Sequence, residues 1–183
     1  MKKLFLLPLL LFPILQVTKA QKVYTKNGNI SFFSTTAMEN IRADNNTVVS
    51  VLDSKSGSLQ FSVLIKGFHF PKALMEVHFN ENYMESDKYP KSSFKGKIKD
   101  LTNVKLTQDG SYPVIVSGDL TIHNVTKAAS ASGTITVKGG VISATSKFNV
   151  TLADYNITIP AMVKEKISKT VEITVSCDYT SRM

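Results

Sequence analysis

The stretch SLQFSVLIK, residues 58–66, decides the fold. Leu59, Phe61, Val63 and Ile65 fall on one side, with Ser58, Gln60, Ser62 and Lys66 on the other. A period of two marks a strand with one face buried and the other wet. The same reading extends outward along the chain. FKGKIKD (94–100) sets Phe94, Gly96 and Ile98 against Lys95, Lys97 and Lys99. VIVSGDLTI (114–122) turns Val114, Val116, Leu120 and Ile122 one way, and GTITV (133–137) does so with Ile135 and Val137. KFNVTL (147–152) and TVEITVSCDY (170–179) add Phe148, Val150 and Leu152, then Val171, Ile173, Val175 and Cys177.

The breaks between these runs carry turn chemistry: KNGN at 26–29, SKSG at 54–57, QDGS at 108–111 and KGG at 138–140. Asn-Gly, Ser-Gly and Asp-Gly supply the positive φ angles of tight hairpins, so each is expected to reverse the chain. Two places leave the rhythm. In PKALMEVHFNENYMES, Leu74, Met75, His78, Phe79 and Asn82 recur at helical spacing after Pro71, which predicts a short helix near 72–84. IPAMVKEKIS predicts a helical turn near 162–167.

Eight antiparallel strands joined mainly by hairpins form a sandwich or a barrel. The inner faces favour the barrel: they combine aliphatics and Phe with small residues at Gly96, Gly118, Ala144 and Ser146, and contain no Trp. At eight strands a barrel interior is just filled by side chains, or holds one small ligand where some of them are small. The outer faces are Thr, Ser, Asn and Lys, so the outside faces water rather than lipid.

The first twenty residues, MKKLFLLPLLLFPILQVTKA, read as a cleaved export signal: Lys2 and Lys3, an apolar run from Leu4 to Val17, then Thr18 and Ala20. The run falls short of the roughly 18 to 20 apolar residues of a membrane helix, and Pro8 and Pro13 interrupt it. No cysteine stands at the cut to take a lipid anchor. Residues 21–183 are then a single domain, exported to the periplasm or secreted.

Removing Lys2, Lys3 and Lys19 from the twenty-two cations leaves nineteen against fourteen acids, a net +5 without a basic strip. Arg42 and Arg182 are the only arginines, which argues against nucleic acid as a partner. The excess charge is compatible with weak attraction to an anionic membrane surface. The single cysteine, Cys177, has no internal partner and falls on a buried face, which argues against a disulfide-linked dimer. A non-covalent homodimer is compatible with the pattern.

Catalytic motifs are missing. There is no G-x-S-x-G elbow and no glycine-rich loop before a helix. His78 and Glu81 make a lone H-x-x-E, with His69 and His123 elsewhere, short of the three or four ligands of a zinc site. The five N-x-S/T triplets, at Asn29, Asn45, Asn124, Asn149 and Asn156, fall in or beside strands and read as coincidence. The stretch HFNENYMESDKYPKSSFKG (78–96) is the richest in chemistry. Phe79, Tyr83, Met84, Tyr89 and Phe94 there suit either a core plug or a pocket wall, while Lys72, Glu76 and Glu81 look outward.

Three ordered segments resemble one family. SGDLTIHNVTKAASASGTITV (117–137) resembles the G-x-L-T-I-x-G-V-T-K signature of the YceI-like, lipocalin-type exported bacterial proteins. LQFSVLIKGFHFPKALMEVHFNENYMESDKYPKSSFKGKI (59–98) and FNVTLADYNITIPAMVKEKISKTVEITV (148–175) are similar to its central and closing segments, in the form found in Bacteroidetes. The likeness covers about residues 22–178, with two departures: ISFFSTTAMENIRADN replaces the usual opening strand pair, and Asn124 stands where the signature has its second glycine.

The resemblance implies an all-β, eight-stranded, lipocalin-like antiparallel barrel with an elongated apolar cavity. It further implies a non-enzymatic binding protein without a cofactor, whose partner is a polyisoprenoid, isoprenoid quinone or fatty-acid-like amphiphile. Candidate wall residues in the first half are Phe61, Val63, Phe68, Phe70, Met75, Phe79, Tyr83 and Met84. Those further on are Tyr89, Phe94, Leu120, Phe148, Ile157, Ile159 and Met162. Rings make a rigid wall while Met75, Met84 and Met162 adapt to a flexible chain, and Tyr83 or Tyr89 is placed to bond a head group. Two other readings compete: a filled barrel acting as a structural or stress-response partner through protein contacts, and a metal or haem site using His78 or His123 with Met.

Overall fold

The computed structural model describes residues 22–182. The expected export signal lies outside the described residues. Eight long strands form a closed antiparallel barrel in simple up-and-down order. They are β1 (Lys22–Thr35), β2 (Asn40–Asp53), β3 (Ser58–Leu64), β4 (Lys91–Ile98), β5 (Gly110–Ile122), β6 (Val125–Lys138), β7 (Val141–Thr151) and β8 (Thr170–Tyr179). A two-residue β9 (Ser181–Arg182) continues the edge of β8 along β1. Closure comes from β1, which pairs with β2 on one side and with β8 and β9 on the other.

SKSG and KGG reverse the chain as expected, linking β2 to β3 and β6 to β7. Gly139 and Gly140 both take positive φ, as a two-residue hairpin of the twisted type requires. The β5–β6 hairpin has the same geometry with His123 and Asn124 at φ 48° and 60°. Asn124 thus fills the glycine position of the signature because asparagine tolerates the left-handed region.

Two turn expectations are corrected. KNGN is no hairpin: it lies inside β1, where the pairing with β2 slips between Thr25 and Ile30. The glycine is needed for close packing, since a Cβ at Gly28 would stand 2.5 Å from the Sγ of Cys177. QDGS is the end of a long connection across 99–109, and Gly110 already begins β5. That connection sends Val104 into the barrel base, where Leu101 and Leu106 pack beside it. Together with Leu52, Leu59, Ile98, Ile135 and Tyr179 it closes one end of the cylinder.

β2 outruns β3, and the chain repairs the gap. Ladder pairing of β2 with β3 covers only Val49–Leu52. Beyond it, residues 65–70 fold back across β2, and His69 exchanges backbone bonds with Asp44 at 2.9 and 3.1 Å. The fully buried Asn45 donates to the Leu64 carbonyl at 2.9 Å and accepts from the Thr47 backbone N–H at 2.9 Å. A buried amide with its bonds made is stabilising where an orphaned one would be costly.

Candidate functional site

The helix predicted after Pro71 spans Ala73–His78 (α1) and continues as one wider turn over Phe79–Tyr83. It lies between β3 and β4 in sequence and folds over one flank of the barrel. Its inward side is Met75, Phe79 and Tyr83; the spacing predicted the first two, while Asn82, also expected there, is exposed and Tyr83 takes its place. Glu76 does not point to solvent alone: its carboxylate accepts from the Phe70 backbone N–H at 3.1 Å and lies 3.5 Å from His69 Nδ1. Lys72 reaches Glu39 at the tip of the β1–β2 hairpin, 3.3 Å away.

Phe79 is the centre of a four-ring cluster. Its ring stands 5.5 Å from Phe32, 5.6 Å from Phe68 and 5.1 Å from Phe70, centroid to centroid. Phe32 also meets Phe68 and Phe70, at 5.6 and 5.7 Å. These tilted and offset contacts stiffen the wall more than area alone would. On the next strand pair Phe61 meets Phe94 at 6.4 Å. Phe94 has room because Gly96 has no side chain: a Cβ there would stand 2.5 Å from the ring.

Between the closed base and the helix lies a cavity of about 600 Å³ with apolar walls. Small residues leave it vacant: Ala129, Ala131 and Gly133 on β6, and Ala144 and Ser146 on β7. Its polar margin is at the open end, where Glu39, Lys72, His78 and Lys166 border it. The β6–β7 ladder stops at Gly133↔Ser146, and exposed Ser130 and Thr145 border the cavity near its end.

Phe61, Val63, Phe68, Phe70, Met75 and Phe79 line this cavity, as do Tyr83, Met84, Phe94, Leu120, Phe148 and Ile157. Three of the expected wall residues do not. Tyr89 packs edge-on against His123 at 4.6 Å, on the outer side of the turn after the helix. Ile159 is half-buried away from the cavity. Met162 is 96% exposed. The sequence reading missed Ile30 and Phe32 of β1, whose alternation with Ser34 was masked by the adjacent Phe33.

The titratable groups sit at the margins. His123 Nε2 lies 2.9 Å from a Glu85 carboxylate oxygen, and Nδ1 lies 3.2 Å from the Tyr155 carbonyl oxygen. This fastens the turn behind the helix to the β5–β6 hairpin. Burial raises the Tyr83 and Tyr155 hydroxyls above the usual phenol range. Tyr179, deeply buried at the base, is raised further, although its hydroxyl is 2.8 Å from Ser50 Oγ. Burial, with Asp178 nearby, pushes the Cys177 thiol up to about 12, which suits packing and not nucleophilic attack. Among the described residues no three His, Cys, Asp or Glu side chains gather as metal ligands would. No described helix is long and apolar enough to cross a membrane.

A family model described as a YceI-like domain matches residues 18–179. The chain belongs to the YceI-like domain family. Several solved structures share its fold at low identity. A polyisoprenoid-binding domain from Saccharophagus degradans, implicated in plant cell wall breakdown, superposes with a TM-score of 0.76 at 16% identity, covering 88% of this chain and 98% of that one. BcnA of Burkholderia cenocepacia gives 0.68 at 14% identity, covering 84% and 96%. A Campylobacter jejuni YceI protein gives 0.56 at 15% identity over the whole of both chains. No curated protein sequence matches this YceI-like chain.

Proposed function

We propose that this YceI-like barrel is an exported, non-enzymatic carrier that holds one long-chain apolar molecule, a polyisoprenoid, isoprenoid quinone or fatty-acid-like amphiphile, in its cavity. The observation that carries the reading is the apolar cavity of about 600 Å³, within the size range of small-molecule sites. The fold shared with a domain named for polyisoprenoid binding supports it.

The energetics suffice without a charged anchor. A fifteen-carbon tail gains roughly 12 kcal/mol gross at about 0.8 kcal/mol per buried methylene. Lost freedom of ligand and wall takes back about 4 kcal/mol or more. The remaining roughly 8 kcal/mol corresponds to micromolar affinity. In this reading the Phe32–Phe68–Phe70–Phe79 cluster is the rigid side, Met75 and Met84 adjust to the tail, and the Tyr83 hydroxyl bonds a head group.

Native mass spectrometry of protein purified from a bacterial periplasm tests the proposal. It should carry a mass that organic extraction removes. An empty barrel that also fails to take up long-chain prenols or quinones at tens of micromolar would favour a scaffold acting through protein contacts.

A further inference from the structure

We infer that the rim of the cavity mouth is a docking face for a bilayer rich in anionic phospholipid. Three segments meet at that mouth: the β1–β2 hairpin tip, α1, and the connection before β8. Glu39 and Ile41 of the first, Leu74 of the second, and Val163, Lys166 and Ile167 of the third all border the cavity. The ring is tied together, by Lys72 to Glu39 at 3.3 Å and by the Ser168 backbone N–H donating to Ser34 Oγ at 2.9 Å.

Each segment holds at least one large apolar side chain out in water. Met38 is 67% exposed, Leu74 65% and Met162 96%. Single exposed apolar residues are ordinary on a soluble protein. Three of the most exposed, one on each segment around an apolar opening, are a surface built to leave water. Met162, which looked from sequence like a pocket residue, finds its use here.

Charge selects the partner. The connection before β8, residues 152–169, carries Lys164, Lys166 and Lys169 against Glu165 and Asp154, and Asp154 is already paired with Lys127 at 2.8 Å. Among the described residues neither Lys166 nor Lys169 has a carboxylate within ion-pair distance. The rim carboxylates are engaged: Glu39 with Lys72, Glu165 at 3.8 Å from Lys164, and Glu76 with the Phe70 N–H. Apolar side chains flanked by unpaired lysines match an acyl boundary beneath anionic head groups. Docked so, the apolar cavity continues the apolar phase of the bilayer. A tail then passes between them without wetting its methylenes, each of which would cost about fourfold in population.

The inference rests on the carrier reading, and its test separates the two. The mature chain is sedimented with vesicles of phosphatidylcholine alone and of phosphatidylcholine with phosphatidylglycerol in equal parts. Two double variants are compared, Met38→Ser with Met162→Ser and Lys164→Gln with Lys169→Gln. None of these four residues lines the cavity, so uptake of a fluorescent fatty acid in solution should be unchanged in both. Binding should favour the phosphatidylglycerol vesicles, weaken with salt, and fall about tenfold or more in each variant, since a lysine near such a surface is worth about fivefold.

Equal binding to neutral vesicles, or variants that sediment like the parent, would overturn the docking face. So would a serine variant that only converts a dimer to a monomer, since the face would then be a contact between copies. Vesicle binding that persists in a chain unable to take up fatty acid would support the docking face and reject the carrier.

Discussion

Ala131→Phe tests whether the barrel is hollow. Ala131 lies on β6 opposite Val116 of β5, and both border the cavity. A phenyl ring there has vacant volume to enter, about 600 Å³ in all. Burying a ring is worth up to about 1.5–3 kcal/mol against leaving it in water. In a filled core the same change forces off-rotamer side chains and costs about 1–3 kcal/mol. The sign of the stability change therefore decides the matter. At this chain length 1 kcal/mol moves the melting temperature by about 2–4 °C, so circular dichroism should record a midpoint unchanged or raised by a few degrees. The ring also occupies space a tail would fill, displacing about six methylenes at about 0.8 kcal/mol each. Allowing for the tail to shift, affinity for a long-chain fatty acid should fall at least a hundredfold. A midpoint several degrees lower would refute the hollow interior; unaltered affinity would refute the tail's position within it.

Phe79→Asp sets a carboxylate against three rings and should abolish lipid uptake with the barrel still folded by circular dichroism, whereas Met162→Ala should leave uptake intact. Retained uptake in the first variant would mean that the helix is not the wall. Gly118→Ala places a Cβ 2.3 Å from the Gly96 Cα and from the Lys95 carbonyl oxygen. With only backbone to yield, it should cost more than about 3 kcal/mol, read from urea unfolding, or prevent folding. The Cys177 thiol is raised from 9.0 to about 12 in the folded chain, so above pH 9 the unfolded chain holds fewer protons and stability falls as pH rises. By pH 10.5 that loss is about 2 kcal/mol relative to pH 8. Urea midpoints at the two pH values should show it, and Cys177→Val should remove that part of the decline. Burial of the Tyr179 hydroxyl acts in the same direction above pH 10.

The strands were legible because a one-sided strand writes its environment into alternate residues. β3 through β8 were each readable from their own alternation. β1 was harder: Phe32 and Phe33 are adjacent, one against the cavity and one in water, and composition does not rank them. KNGN misled because Asn-Gly is a local signal. Pairing with β2 and β8 on either side carries the strand straight through it, with the glycine yielding space to Cys177. The helix and its inward face were readable from Pro71 and the spacing of Met75 and Phe79, but not whether Asn82 or Tyr83 completed that face. Tyr89 and Met162 were misplaced because an apolar side chain in a loop has no period to orient it. Their directions are set by His123 in one case and by the open mouth in the other.

By itself the sequence determined that the chain is a barrel of alternating strands, with a helix whose greasy side turns in. Tertiary structure alone decided that the base is plugged by the 99–109 connection and that the middle stays vacant. It alone also brought the hairpin tip, helix and last connection into one ring. Period and propensity act over a few neighbours, so they specify which face of a strand is buried. Whether buried faces meet or stand apart depends on strand number, register and the sizes of side chains from opposite walls, and no local stretch contains that information.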